Sequence, residues 1–329
     1  MLKKKLWILG VLFVLILTLA IGCSQEQSGE EAEAQDDAEA EEQSEGDGNG
    51  EKINVVTTIA QIGEPLSVIG GDRVEVESLM GPGVDPHVYN ATQGDISTMD
   101  GADVVFYSGL NLEANMVDMF EEISQSKPVL GIAETLPEDA LFEDEEGEVD
   151  PHVWFDLALW QDALDAAVEE LKEYSPEDAD YFEENKQEYF AEIDEVKEDA
   201  QKLQDIPEDQ RVLVTAHDAF GYFADMHDME VVGLQGISTE DEIGVSDINN
   251  TIETLIEYEV PAIFVESSVN QDSINAVIEG AESEGVDVEL GGELFSDAMG
   301  EPGSEEGTYT GMYRHNVNTI YEALNGGTE

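Results

Sequence analysis

The chain has 329 residues, 41% of them hydrophobic, which is enough to build packed cores and excludes a wholly disordered protein. Its length suggests two domains, because single cores rarely outgrow that range. With 78 acidic residues against 12 Lys and Arg, the net charge is -66, and such a surface repels the phosphate backbone of nucleic acid.

Three of the basic residues, Lys3, Lys4 and Lys5, stand at the N-terminus, which leaves nine for the remainder. Few surface ion pairs are then available, and self-repulsion works against the compact state. Molar salt shortens the screening length to about 3 Å and relieves that repulsion. The composition therefore reads as adaptation to a saline environment.

Taken in chain order, the first element is a leader. Met1 to Lys5 are basic, Leu6 to Leu19 are apolar, and small residues Ala20 and Gly22 precede Cys23. This is the layout of a bacterial signal peptide over 1–22. Cys23 is the only cysteine, so an intrachain disulfide is impossible. Its place after the small residues resembles a lipobox, at which a leader is removed and the cysteine is lipidated. The body is then extracytoplasmic and tied to the outer face of the membrane.

Residues 23–52 are acidic and nearly free of apolar side chains. Such a segment cannot bury enough surface to offset chain entropy. It reads as a flexible tether spanning on the order of 30 Å, extended further by its charge.

From Ile53 short apolar runs alternate with helical stretches. Strands are expected at 53–60, 74–80, 103–109 and 129–134, and again at 212–217, 231–236, 262–268 and 287–292. Helices are expected at 113–126, 246–258, 271–283 and 309–324, among others. This alternation implies an α/β fold with mostly parallel sheets, and two sets of four strands imply two lobes. Between them, Ser175-Pro176-Glu177-Asp178 opens a long helical region with Phe182, Tyr189, Ile193, Val196, Ala200 and Leu203 at helical spacing. A helix of about 30 residues would span on the order of 45 Å and could join the lobes. The expected divisions are 53–174 for the first lobe, 175–206 for the linker helix and 207–329 for the second lobe.

Five histidines occur in the chain. Two sit in a repeated Asp-Pro-His-Val tetrapeptide, as His87 and His152, and a third, His217, ends the strand VLVTAH. Strand ends are where open α/β sheets place ligands. Pro86 and Pro151 restrict the backbone before their histidines. Neutral imidazole is a ligand for first-row metals. Asp85 and Asp150 are placed to orient the rings or to cap a helix. Taken singly, each histidine also reads as an ordinary satisfied polar residue. No HExxH or CxxC motif is present, so any metal ligands must converge through the fold.

The motifs together resemble the cluster A-I, or TroA-like, metal receptors of ABC importers. The matching segments are VDPHVYNATQGD (84–95), VDPHVWFD (149–156), TAHDAFGYFA (215–224), LQGISTEDEIG (234–244), IFVESSV (263–269), LFSDAMG (294–300) and the tail 308–324. The resemblance implies two α/β lobes joined by one long helix, with one divalent ion bound between them by His87, His152, His217 and Asp297. It further implies a membrane permease and an ATPase as partners.

Some members of that family carry Glu at the position of His217 and are generally manganese receptors. Three histidines and a carboxylate resemble the zinc and the mixed zinc/manganese receptors, and nitrogen-rich four-coordination suits Zn²⁺. Many zinc-specific members carry a histidine-rich loop before the second motif, whereas here 141–150 reads LFEDEEGEVD. Mn²⁺ stays open beside Zn²⁺.

Glu266 is a candidate acceptor behind the metal ligands or a carboxylate satisfied by backbone. His227 reads as a surface residue. His315 reads as packed or hydrogen-bonded within the second lobe, and Trp154 and Trp160 as core or lobe-interface packing. The chain reads as a monomer and not as an enzyme. Two rival functions are an extracytoplasmic zinc-dependent hydrolase and a metal-binding surface adhesin.

Overall fold

The computed structural model describes residues 52–144 and 146–325. The leader, Cys23 and nearly all of the tether lie outside the described residues. In chain order the strands and helices are β1 (Ile53–Thr57), α1 (Ala60–Gly70), β2 (Val74–Ser78), α2 (Gln93–Gly101), β3 (Val104–Tyr107), α3 (Val117–Ile123), β4 (Val129–Gly131), α4 (Leu157–Tyr174), α5 (Ala179–Asp199), β5 (Val212–His217), α6 (Gly221–His227), β6 (Glu230–Gln235), α7 (Val245–Glu257), β7 (Ala262–Glu266), α8 (Asp272–Ser283), β8 (Glu289–Leu294) and α9 (Tyr309–Asn325). Among the described residues, no helix is long and apolar enough to cross a membrane.

The first lobe is built on a parallel sheet in the order β2-β1-β3-β4. Its β-branched strands are covered by helices, as parallel sheets require. Helix α1 lies so close to this sheet that a side chain at Gly63 would come within 2.7 Å of Thr57 Oγ1 and closer still to Ser78 Oγ. Helix α2 has almost no apolar face. Its start is fixed instead by a capping box, in which Thr92 accepts from Gly94 and Asp95 while Asp95 accepts from the Thr92 N–H.

In the second lobe the four strands form two parallel pairs, β5-β6 and β7-β8, with β5 beside β7, rather than one ladder of four. At the end of β5 the His217 N–H donates to the Glu266 carboxylate on β7 at 2.7 Å rather than to a strand carbonyl. The β7-β8 pair also shifts register between Ile263 and Phe264.

The linker is shorter than its sequence suggests. Pro176–Asp178 and Ala200–Asp205 are 3-10 turns, and α5 between them has 21 residues. That length corresponds to about 31 Å. Helix α5 packs against α4, α1 and α9, so it touches elements of both lobes. Trp154, Trp160, Phe182, Ile193, Tyr309 and Tyr313 belong to one continuous core along this seam. A smaller core around Val214, Leu234, Leu255, Val265 and Val277 serves the second lobe.

Candidate metal centre

Four connections following parallel strands converge between the lobes. His87 follows β2, His152 lies in the segment between β4 and α4, His217 ends β5, and Asp297 follows β8. All four are buried, the least so being His87 at 3% exposure. One nitrogen or oxygen from each lies within 4.8 Å of every other.

The spacing is that of a coordination polyhedron. His87 Nε2 is 3.3 Å from His152 Nε2. Asp297 Oδ1 is 3.3 Å from His152 Nε2, and Asp297 Oδ2 is 3.3 Å from His217 Nε2 and 3.9 Å from His87 Nε2. A tetrahedron with metal–ligand bonds of about 2.0–2.1 Å has edges of roughly 3.3 Å. His217 Nε2 and Asp297 Oδ1 are buried and have no hydrogen-bond partner within the protein. Buried polar atoms without hydrogen-bond partners are rare, and each of these two lies 3.3 Å from another member of the cluster.

Two of the rings are fixed from behind. Asp150 Oδ1 lies 2.7 Å from His152 Nδ1 and also accepts the His152 backbone N–H at 2.9 Å. Glu266 Oε2 lies 2.5 Å from His217 Nδ1 in an ion-pair contact. A carboxylate at Nδ1 keeps the proton there and turns the Nε2 lone pair toward the cluster. Asp150 is held in turn through its peptide carbonyl, which accepts from the Tyr222 hydroxyl at 3.1 Å.

The electrostatics favour positive charge at the centre. Burial alone would lower the His152 imidazole, but Asp150 and Asp297 outweigh it and raise its pKa to about 9. Burial likewise opposes protonation of His217, yet Glu266 and Asp297 raise that ring well above its ordinary value. Burial would raise Asp297, and the two histidines instead hold it well below the carboxylate range. His87 goes the other way, lowered to about 3 by burial despite the pull of Asp297. A divalent cation and the protons on His152 and His217 are alternative ways to meet the same demand.

The structure brings some of the expected residues together and places others elsewhere. His87, His152, His217 and Asp297 come together, and Glu266 and Asp150 stand directly behind two of them. Asp85 differs from its counterpart in the repeated tetrapeptide. It accepts the His87 backbone N–H at 2.9 Å and the Thr239 hydroxyl at 2.6 Å, rather than a hydrogen bond from the ring. His227 is not a surface residue. It is 5% exposed, packed on Phe223, with Nε2 2.9 Å from the Tyr313 hydroxyl, and burial lowers its pKa to about 4. His315 bonds the Glu293 carbonyl within the second lobe.

The sequence did not point to Gln61, Asn115, Thr239 or Glu240. Gln61 donates from α1 to the Ser296 carbonyl beside Asp297. Thr239 and Glu240 stand in the segment LQGISTEDEIG, which signals kinship but not this contact, and Asn115 has no signal at all.

The comparisons agree with this architecture. The family model described as ZnuA, the periplasmic zinc-uptake complex component A, matches residues 55–323, and the chain belongs to that family. The chain is 47% identical over 276 residues to the manganese-binding lipoprotein MntA of Bacillus subtilis, covering 83% of this chain and 90% of that protein. It is 43% identical over 273 residues to the zinc-binding protein TroA of Treponema pallidum, covering 82% and 88%. The solved structure of the periplasmic zinc-binding protein TroA superposes with a TM-score of 0.82 at 42% identity, covering 83% of this chain and 99% of that one.

Proposed function

We propose that this protein is the substrate receptor of a metal ABC importer, taking up a zinc or manganese ion with His87, His152, His217 and Asp297. The observation that carries the reading is the convergence of four buried donors, three imidazole nitrogens and a carboxylate, with contacts of 3.3 to 3.9 Å and all within 4.8 Å of one another. The family and the named relatives, which are binding proteins rather than enzymes, support it.

His87 and His152 come from the first half of the chain, and His217 and Asp297 from the second. The ion therefore bonds the lobes to each other. Closing them assembles four donors, and separating them leaves two on each side, which lowers affinity and permits release to the permease. A four-donor, nitrogen-rich site suits Zn²⁺, and Mn²⁺ uses the same donors at lower intrinsic affinity.

Residues 1–22 are the leader, Cys23 carries the lipid anchor, and the tether to residue 52 lets the body range above the membrane. Residues 53–174 and 207–329 are the two lobes, joined by 175–206. The receptor acts outside the cytoplasm as a monomer, alongside a permease and an ATPase, and its acidic surface suits it to high salt.

The test is uptake of radiolabelled zinc and manganese by cells whose only copy of this gene is deleted. Wild-type protein restores uptake, His152→Ala does not, and Cys23→Ala restores less because the receptor is no longer held at the membrane. Uptake that is indifferent to the deletion would overturn the assignment.

A further inference from the structure

His87 is held differently from the other two histidines. The Nδ1 atoms of His152 and His217 are each fixed by a carboxylate, Asp150 and Glu266 respectively. For His87 the fixed groups are in its backbone. Its N–H donates to Asp85 Oδ1 at 2.9 Å, and its carbonyl accepts from Asn115 Nδ2 at 3.2 Å.

Both of those side chains reach onward to the opposite lobe. Asp85 Oδ2 accepts from the Thr239 hydroxyl at 2.6 Å. Asn115 Nδ2 also donates to Glu240 Oε1 at 3.3 Å. Two adjacent residues in the loop between β6 and α7 thus grip the two side chains that flank His87. Close by, a cavity of about 390 Å³ beside His87 is lined from both lobes, by Leu110, Asn111 and Pro151 on one side and Ile237, Ser238 and Glu240 on the other. The two ties cross the cleft at this cavity. The loop itself is anchored from within its own lobe by Gln235, whose side-chain amide donates to the carbonyls of Thr239 and Asp241.

We propose that His87 is the closure-dependent ligand of the cluster, seated fully only when the Thr239–Glu240 dipeptide of the opposite lobe engages Asp85 and Asn115. Thr239 is then a positioning residue that acts through Asp85 and never touches the ion. The Nδ1 contact of His217 comes from Glu266 in its own lobe and that of His152 from Asp150 two residues before it, so neither ring takes its orienting carboxylate from across the cleft. His87 gains its final position as the lobes meet, so closure and the last coordination bond form together. This inference rests on the reading of His87 as a metal ligand.

The test is release of zinc from the full chain into excess chelator, followed by stopped flow. A hydrogen bond to a carboxylate contributes on the order of tenfold in an equilibrium constant. Because the tie exists only in the closed arrangement, Thr239→Val speeds release about tenfold and leaves the thermal midpoint of the metal-free protein unchanged. Thr239→Ser, which keeps the hydroxyl, restores slow release. In an Asp85→Ala background, Thr239→Val has no further effect, because the partner is already gone. Asn115→Ala, on the weaker tie, speeds release a few-fold. Wild-type release rates in both Thr239→Val and Asn115→Ala would overturn the proposal, as would an undiminished Thr239→Val effect without Asp85. Failure of the metal-site reading looks different, since the wild-type chain would then hold no zinc at all.

Discussion

Glu266 offers the sharpest test of how the site is supported. Its two oxygens serve two donors of one residue, Oε1 taking the His217 backbone N–H at 2.7 Å and Oε2 lying 2.5 Å from Nδ1. Both residues are buried, Glu266 at 1% exposure and His217 at 0%. Glu266→Gln keeps the shape but offers one acceptor where two are needed, so either the ring or the peptide loses its partner. Losing one charge-assisted interaction in a buried site amounts to about 1.5–3 kcal/mol. At about 1.4 kcal/mol per factor of ten, zinc affinity falls roughly tenfold to hundredfold, the range typical for residues behind metal ligands. Competition with a chromophoric chelator at molar salt measures it. An affinity within twofold of wild type would refute the argument that Glu266 sets the tautomer and orientation of His217.

Further outcomes follow from the same structure. His227 is held neutral by burial, with a pKa of about 4 against 6.5 for the free side chain. A folded-state value below the unfolded one means that its stabilisation is complete above the unfolded pKa and is lost as pH falls toward the folded one. Between about pH 7 and about pH 5 the wild type should therefore lose about 2 kcal/mol more stability than His227→Gln in urea titrations, and equal losses would contradict this. Gly63→Ala drives a methyl into the Thr57 and Ser78 hydroxyls beneath α1. It should destabilise the fold by about 1–3 kcal/mol in the same assay, and an unchanged midpoint would mean that α1 can shift freely. With a net charge of -66, the thermal midpoint should rise between low and molar salt, and a flat profile would remove the saline reading.

Much of the fold is legible in the sequence because most of its strands are apolar, largely β-branched runs, with β8 (ELGGEL) the exception. All eight strands fall where VVT, VLVT or IFV runs occur or within two residues of the expected bounds at one end. The apolar pattern misleads where burial outlasts the strand. Ile59 continues the run after β1, but its backbone already leads into α1, whose Gly63, Pro65 and Gly70 disguise a helix that tertiary packing imposes. The charged stretch after Asp199 looks helical by spacing yet tightens into 3-10 turns before Pro207.

The site was legible in unequal parts. Three histidines stood out because the chain has only five. Asp297 is one acid among 78, and local pattern does not single it out, so its assignment came from family resemblance. The surroundings of His227 read as polar in ADMHDME, but its burial comes from Phe223 one turn away and from Tyr313, 86 residues later. The ties from Thr239 and Glu240 across the cleft are likewise properties of the assembled lobes.

The most direct test of the account is metal content and competition on the purified full chain. Elemental analysis at high salt should find one zinc or manganese ion per wild-type chain, displaced by the other in competition. His152→Ala should lose nearly all of it, while His227→Ala keeps it. A chain without bound metal, or equal losses from the two substitutions, would contradict the central claim that His87, His152, His217 and Asp297 hold the transported ion.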